Sequence, residues 1–370
     1  MRALPLCVLT ACFNPSPQTG LRCSPTGWCP WPQRCEPITQ ICEGSAPGVD
    51  AAIDANYVFL TSTQVPFTLT TPATADLECA AAAARGGLRG AYVAWISTQT
   101  MDAKNRIPPT ARGWVRPDGL PFGDTLQEIL NGEIYYPPIL DEHGQPHVNV
   151  NVGTGTKLDG THSTETCDAS PNITFGVSDG ASPHWTDAQS LTLLPCSNSL
   201  HLYCFGTDRN AEIPPPAAAG RLAFLTDTTY PAELGVNSLD AACADEARAQ
   251  GLPGEYVAMV ATTEQAAKDR SQLSTAVSPW VRRDGVVVTT DLVTFMAPLT
   301  LTSARNYRWE LVMVGAPSLD VKAQLGETCG NWMQSASTLS AGISSRSAIG
   351  DAFSGYRTAL CDQRLYCFQR

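Results

Sequence analysis

Of the side chains in this chain that could do chemistry, the fourteen cysteines are the most telling. They fall as Cys7 and Cys12, then Cys23, Cys29, Cys35 and Cys42, then Cys79, Cys167, Cys196 and Cys204, then Cys243, Cys329, Cys361 and Cys367. Three sets of four behind a leading pair read as bridges, which persist only in oxidising compartments. Zinc fits less well: the first set is spaced C-x5-C-x5-C-x6-C, without the close pairs of a zinc ribbon and with no nearby histidine. Each set of four permits three connectivities.

Other candidates are weaker. Gly176-Val177-Ser178-Asp179-Gly180 matches the G-x-S-x-G pattern with His184 close behind. A nucleophile elbow, however, needs a helix after the serine, and Ala181-Ser182-Pro183 does not start one. The second half of the chain shows no counterpart, so a serine hydrolase using Ser178 is only an alternative. All five histidines lie between 143 and 201. His143 and His147 would share a helical face and could hold a metal, but His143-Gly144-Gln145-Pro146 reads as a turn. No catalytic set, metal or cofactor is expected. Trp114-Val115-Arg116 and Trp280-Val281-Arg282, each followed by an Asp-Gly turn, fit a packed tryptophan. The sharper alternative is a contact surface of aromatic rings and guanidinium groups formed by Trp114, Arg116, Trp280 and Arg282, with Tyr135 and Tyr136.

These residues sit on a duplicated framework. Val58-Phe59-Leu60-Thr61 recurs as Ala223-Phe224-Leu225-Thr226, Asp76-x-x-Cys79 as Asp240-x-x-Cys243, and Gly87-Leu88-Arg89-Gly90-Ala91-Tyr92-Val93-Ala94 as Gly251-Leu252-Pro253-Gly254-Glu255-Tyr256-Val257-Ala258. Leu202-Tyr203-Cys204-Phe205 recurs as Leu365-Tyr366-Cys367-Phe368. Two copies are therefore expected, at 57–207 and 221–370. Each should run from a strand (57–61; 222–226) to a helix (75–85; 239–249) started near Thr74 or Ser238 and stopped at Gly86 or Gly251. Next comes a strand in which Tyr92, Ala94 and Ile96 face opposite Val93 and Trp95. Shorter helices are expected at 125–130 and 263–270, then long loops and a closing strand through Tyr203 or Tyr366. A Pro-rich linker at 208–220, with Pro214-Pro215-Pro216, should hold the copies apart semi-rigidly.

The amino terminus reads as an address. Met1-Arg2 and the apolar run to Ala11 form a signal peptide, 1–11. Leu9-Thr10-Ala11-Cys12 resembles the bacterial lipobox, which implies lipidation of Cys12 and attachment to a membrane through that anchor. Removing Cys7 and lipidating Cys12 leaves twelve cysteines. Residues 12–42 are expected to form a small module stapled by two bridges among Cys23, Cys29, Cys35 and Cys42, followed by a linker, 43–56.

The net charge of −11 argues against nucleic acid and against heparin-type polyanions, which need clustered Lys and Arg. Residues 57–207 carry 7 basic and 14 acidic side chains, and residues 221–370 carry 13 and 15, so the second copy is the less acidic one.

Taken together, the Phe-Leu-Thr strand, the Asp-x-x-Cys helix, the Gly-Leu-x-Gly-x-Tyr-x-Ala strand and the closing Leu-Tyr-Cys-Phe resemble the endostatin-like domains of bacterial surface lipoproteins, notably the leptospiral endostatin-like group. The resemblance implies an α+β, C-type-lectin-like fold in tandem. It also implies nested first-to-fourth and second-to-third bridges. With the advantage of tying each copy's two ends together, that pattern selects Cys79–Cys204, Cys167–Cys196, Cys243–Cys367 and Cys329–Cys361. The implied role is adhesion or recognition of an extracellular protein or glycan at the cell surface or outer membrane, without a reaction; a passive envelope protein is the blander alternative. Family features are missing: no His-rich segment precedes either copy, and Ser170-Pro171-Asn172 and Gln145-Pro146-His147 lack the paired carboxylates of lectin calcium sites.

Overall fold

The computed structural model describes residues 34–36, 41–43, 55–188, 193–275 and 279–370. The chain forms two units, 1–54 and 55–370, each described by itself. In the first, strands Arg34–Glu36 and Ile41–Glu43 pair antiparallel with Cys35 opposite Cys42. The signal peptide, Cys12, Cys23, Cys29 and linker residues 44–54 lie outside the described residues, as do the bridges expected of this module.

The second unit is mixed α+β, with short helices and several small sheets. In the first copy the sheet order is Tyr92–Ala94, Tyr203–Gly206, Asn56–Leu60, Trp114–Val115, Pro121–Gly123. The second copy repeats it with Tyr256–Ala258, Asp362–Gln369, Arg221–Leu225, Trp280–Val281 and Val287–Thr289. Registers agree as well: Cys204 lies opposite both Phe59 and Ala94, and Cys367 opposite both Phe224 and Ala258. The expected alternation holds, because both faces of this sheet are covered. Tyr92, Ala94 and Ile96 join the core under the helix, while Trp95 joins Trp114, Trp185 and Phe205 on the other side.

The helix Pro72–Gly86 buries Ala75, Cys79, Ala82 and Ala83, a stripe at helical spacing whose small side chains allow close approach to the sheet. It begins a turn earlier than expected. Thr71 is the cap and Thr74 the reciprocating third residue, with Pro72 supplying a preset first turn. Its counterpart, Val236–Ala249, starts after Gly235 without a side-chain cap, so Ser238 does not serve as one. The short helix Leu126–Leu130 carries the full Thr125/Glu128 capping box, and the helix expected at 263–270 is confined to Ala267–Ser271.

All four expected bridges of the copies are present: Cys79–Cys204, Cys167–Cys196, Cys243–Cys367 and Cys329–Cys361. Two of them fasten the early helix to the closing strand. Four bridges point to an oxidising, extracytoplasmic setting. No helix among the described residues is long and apolar enough to cross a membrane.

The linker does not hold the copies apart. Arg112 N donates to Arg209 O, Ile213 N to Asp124 Oδ1 (2.8 Å), and Ala218 N to Gly285 O, so residues 208–220 are strapped along both copies. A Pro-rich strand leaves its main-chain polar groups without internal partners, free to bond neighbours. The copies meanwhile bury apolar surface directly against each other.

Candidate functional site

The copies meet through equivalent residues. Within each copy Ser178 and Ser344 hold matching positions. Ser178 N donates to Val150 O and its Oγ accepts from Val150 N; Ser344 N donates to Glu310 O and its Oγ accepts from Glu310 N. Just beyond, Gly180 and Arg346, again equivalent, form an antiparallel bridge between the copies. The flanking bonds are reciprocal: Ala181 N donates to Ser345 O (2.7 Å) and Ser347 N to Asp179 O (3.1 Å). A contact in which residue i meets j while j's equivalent meets i's is isologous, as across a two-fold axis. The G-x-S-x-G segment thus has a second-copy counterpart, Gly342-Ile343-Ser344, contrary to the sequence reading. Only the framework is shared, which is why the letters hid it.

Asp179 locks this contact. Its fully buried carboxylate accepts from Arg346 Nε and Nη2 (both 2.8 Å), Asn149 N (3.1 Å) and Ala348 N (3.0 Å). Ser178 is buried and donates to the His147 carbonyl, so the motif anchors chain instead of presenting a nucleophile. His184 Nδ1 meets Ser345 Oγ, and burial, with Arg346 nearby, pushes the imidazole down to about 4.

A second contact is apolar. Leu120, Tyr135 and Tyr136 of the first copy pack with Val286, Met296 and Ala297 of the second. Val287 N donates to Tyr136 Oη (2.9 Å), and Arg282 Nη2 to Ile134 O (3.1 Å). The residues expected to form an exposed contact surface are therefore buried. Trp114 and Trp280 are core, their indole N–H groups donating to Gly206 O and Gln369 O (both 2.9 Å). Arg116 and Arg282 are held by Asp118 and Asp284 and by the carbonyls of Pro137 and Pro298. A buried guanidinium needs such partners, and the Asp two residues on supplies them. Tyr135, Tyr136 and Arg282 do come together, but as the joint between copies, with the Arg116 guanidinium over the Tyr136 ring (5.8 Å to its centroid); Trp114 and Trp280 do not join them.

His143 is exposed and His147 pairs with Asp141 (2.9 Å) across a turn, so the two are not on one helical face. The chain matches no protein-family model and no curated protein sequence. Function is therefore read from geometry.

Beside the apolar joint lies a groove of about 730 Å³. It is lined by Glu133 and Tyr135 of the first copy, by the linker from Pro215 to Gly220, and by Arg282 to Gly285, Arg305 and Tyr307 of the second copy. Burial alone would lower the Arg282 guanidinium, but Asp284 holds it charged, and Arg282 in turn keeps the buried Asp284 carboxyl low. Tyr307 Oη donates to Asp284 (2.9 Å). Burial pushes Tyr135 up to about 12, and burial with Glu128 pushes Glu133 up. A smaller hollow beside Val236–Ala249 is lined by charges already paired: Asp240 with Arg270, Arg248 with Asp245, and Arg370 with Glu255.

The sequence reading missed Asp179–Arg346, because the partners lie 167 residues apart. It also missed a buttress repeated in both copies. Asp76 accepts from Ala94 N and Arg106, as Asp240 does from Ala258 N and Arg270. Each pair fastens the helix to the sheet; its signs in the sequence were the recurring Asp and the recurrence of Ala103-Lys104-Asn105-Arg106 as Ala267-Lys268-Asp269-Arg270.

Proposed function

We propose that the mature chain is a lipid-anchored surface protein of tandem endostatin-like, C-type-lectin-like build, which binds an extracellular protein or glycan. Disulfide staples, the signal peptide and the lipobox support export and anchoring. The observation that carries the binding role is the groove at the copy junction, walled by loops and linker that two bridged scaffolds hold in place. Such rigid support lowers the ordering cost of recognition. A reaction is not part of the proposal, because Ser178 is committed to main-chain bonds.

Glycan and matrix-protein arrays probed with the mature protein test this reading. An Ala219→Trp variant, which fills the groove at an exposed linker position, should lose the captured ligand. Capture that is indifferent to Ala219→Trp, or no capture at all, overturns it.

A further inference from the structure

The groove holds two guanidinium groups whose placement the fold does not require. Arg283 donates to Ser303 O, and Arg305 to Arg283 O (2.6 Å). Each makes that one bond to protein, and among the described residues no carboxylate lies within ion-pair distance of either. Burial and then the nearby Arg305 hold the Arg283 guanidinium below its ordinary value.

The first copy shows what the framework needs at these positions. The turn 302–306 matches 141–145: Leu301 bridges Tyr307 as Leu140 bridges Pro146, and Thr302 and Asp141 close the two turns alike. Arg305 therefore occupies the place of Gly144. Both are left-handed, at φ 67° and 75°. That conformation is free for glycine and costs roughly 1 kcal/mol or more for a side chain with a Cβ. Arg283 occupies the place of Pro117 in the Trp-Val-Arg-x-Asp-Gly segment. A tight turn has accepted strain to carry a guanidinium, beside a second one absent from the sister copy.

We propose that Arg283 and Arg305 form an anion site in this groove and that its ligand is a carboxylated sugar. This names the ligand class for the groove and so rests on the binding role proposed above. Paired guanidinium donors suit the planar fork of a carboxylate. Tyr307, Pro215 and Pro216 offer apolar surface for a pyranose ring. Glu133, also lining the groove, would accept a ligand hydroxyl but would repel a second negative charge. The groove therefore suits a molecule with one acidic end and a hydroxylated remainder, and not a polyanion.

Calorimetric titration of the mature, disulfide-intact protein with D-glucuronate and with D-glucose tests this. Saturable binding of glucuronate and none of glucose at the same concentrations is expected. Arg305→Gly and Arg283→Gln should each weaken binding at least about ten-fold, the loss of one charge-assisted contact. Arg305→Gly should melt at or above the parent temperature, since it restores the sister copy's residue. Binding of free glucuronate assigns a soluble acid sugar; retention only on an immobilised glucuronate-terminated glycan assigns a glycan end. The proposal is overturned if both sugars bind alike, if both variants bind as the parent does, or if neither glucuronate nor the terminated glycan is held. A ligand lost in Ala219→Trp yet indifferent to both arginine variants removes the acid-sugar assignment alone and leaves the groove's binding role standing.

Discussion

Replacing Asp179 by alanine removes the buried carboxylate at the centre of the contact between the copies. Four bonds go with it, and Arg346, with its side chain 8% exposed, loses its main counter-charge. Deleting one partner of a buried ion pair costs about 3–5 kcal/mol, because the remaining charge stays desolvated. Arg346 keeps Asp351 (2.7 Å) and Asn149 (2.7 Å), which places the effect towards the lower end. For a unit spanning 55–370, with an unfolding entropy of about 2 cal/mol/K per residue, that lower end corresponds to a drop in melting temperature of roughly 5 °C. Urea denaturation of the oxidised protein, followed by tryptophan fluorescence and circular dichroism, should show one transition in the parent and separate transitions of the two copies in Asp179→Ala. The double variant Asp179→Ala/Arg346→Met should recover part of the loss, since it leaves no unpaired charge. If Asp179→Ala shifts stability by less than about 1 kcal/mol, the range of an exposed pair, or if the two changes simply add, the contact is not the lock described here.

Acid should weaken the same contact. His184 is held near 4 in the folded protein against an ordinary 6.5, so the unfolded chain takes up the proton first as the pH falls. Its contribution is full above pH 6.5 and drains away between 6.5 and 4, by at most about 3 kcal/mol; His201, lowered by burial, adds in the same direction. Melting temperatures across pH 4–7.5 check this, and a His184→Gln variant should give a flatter profile. Removing the long bridge by Cys79→Ala/Cys204→Ala should cost about 5 kcal/mol by loop entropy, and Cys167→Ala/Cys196→Ala about 3.5, from separations of 125 and 29 residues; equal urea midpoints for the two variants would contradict this ordering. The mature protein should show no Ser178-dependent hydrolysis of p-nitrophenyl acetate, and Ser178→Ala should lower stability by about 1 kcal/mol through its lost hydrogen bonds. Activity that disappears in Ser178→Ala would restore the hydrolase reading.

Local patterns carried much of the architecture into the sequence. The paired strands, the helix bearing Cys79 or Cys243 and the two-faced strand at Tyr92 could be read because each rests on short-range periodicity or on duplicated spacing, whereas the nested bridges came from the family resemblance and the advantage of tying each copy's ends together. What the sequence misplaced depends on partners far away in the chain. The tryptophans fitted a packed core, but Arg116 and Arg282 could pass for a contact surface because their burial requires carbonyls 21 and 16 residues on and, for Arg282, one 148 residues back in the other copy. The linker's composition showed its stiffness but not the hydrogen bonds that lay it down. The charge count of the second copy hinted at extra arginines; only the match of Arg305 to Gly144 shows that one of them is held against backbone preference. Spacing records what neighbouring residues do for one another. The joint, its lock and its groove arise where two folded surfaces meet, and their energies come from desolvating groups that no local pattern brings together.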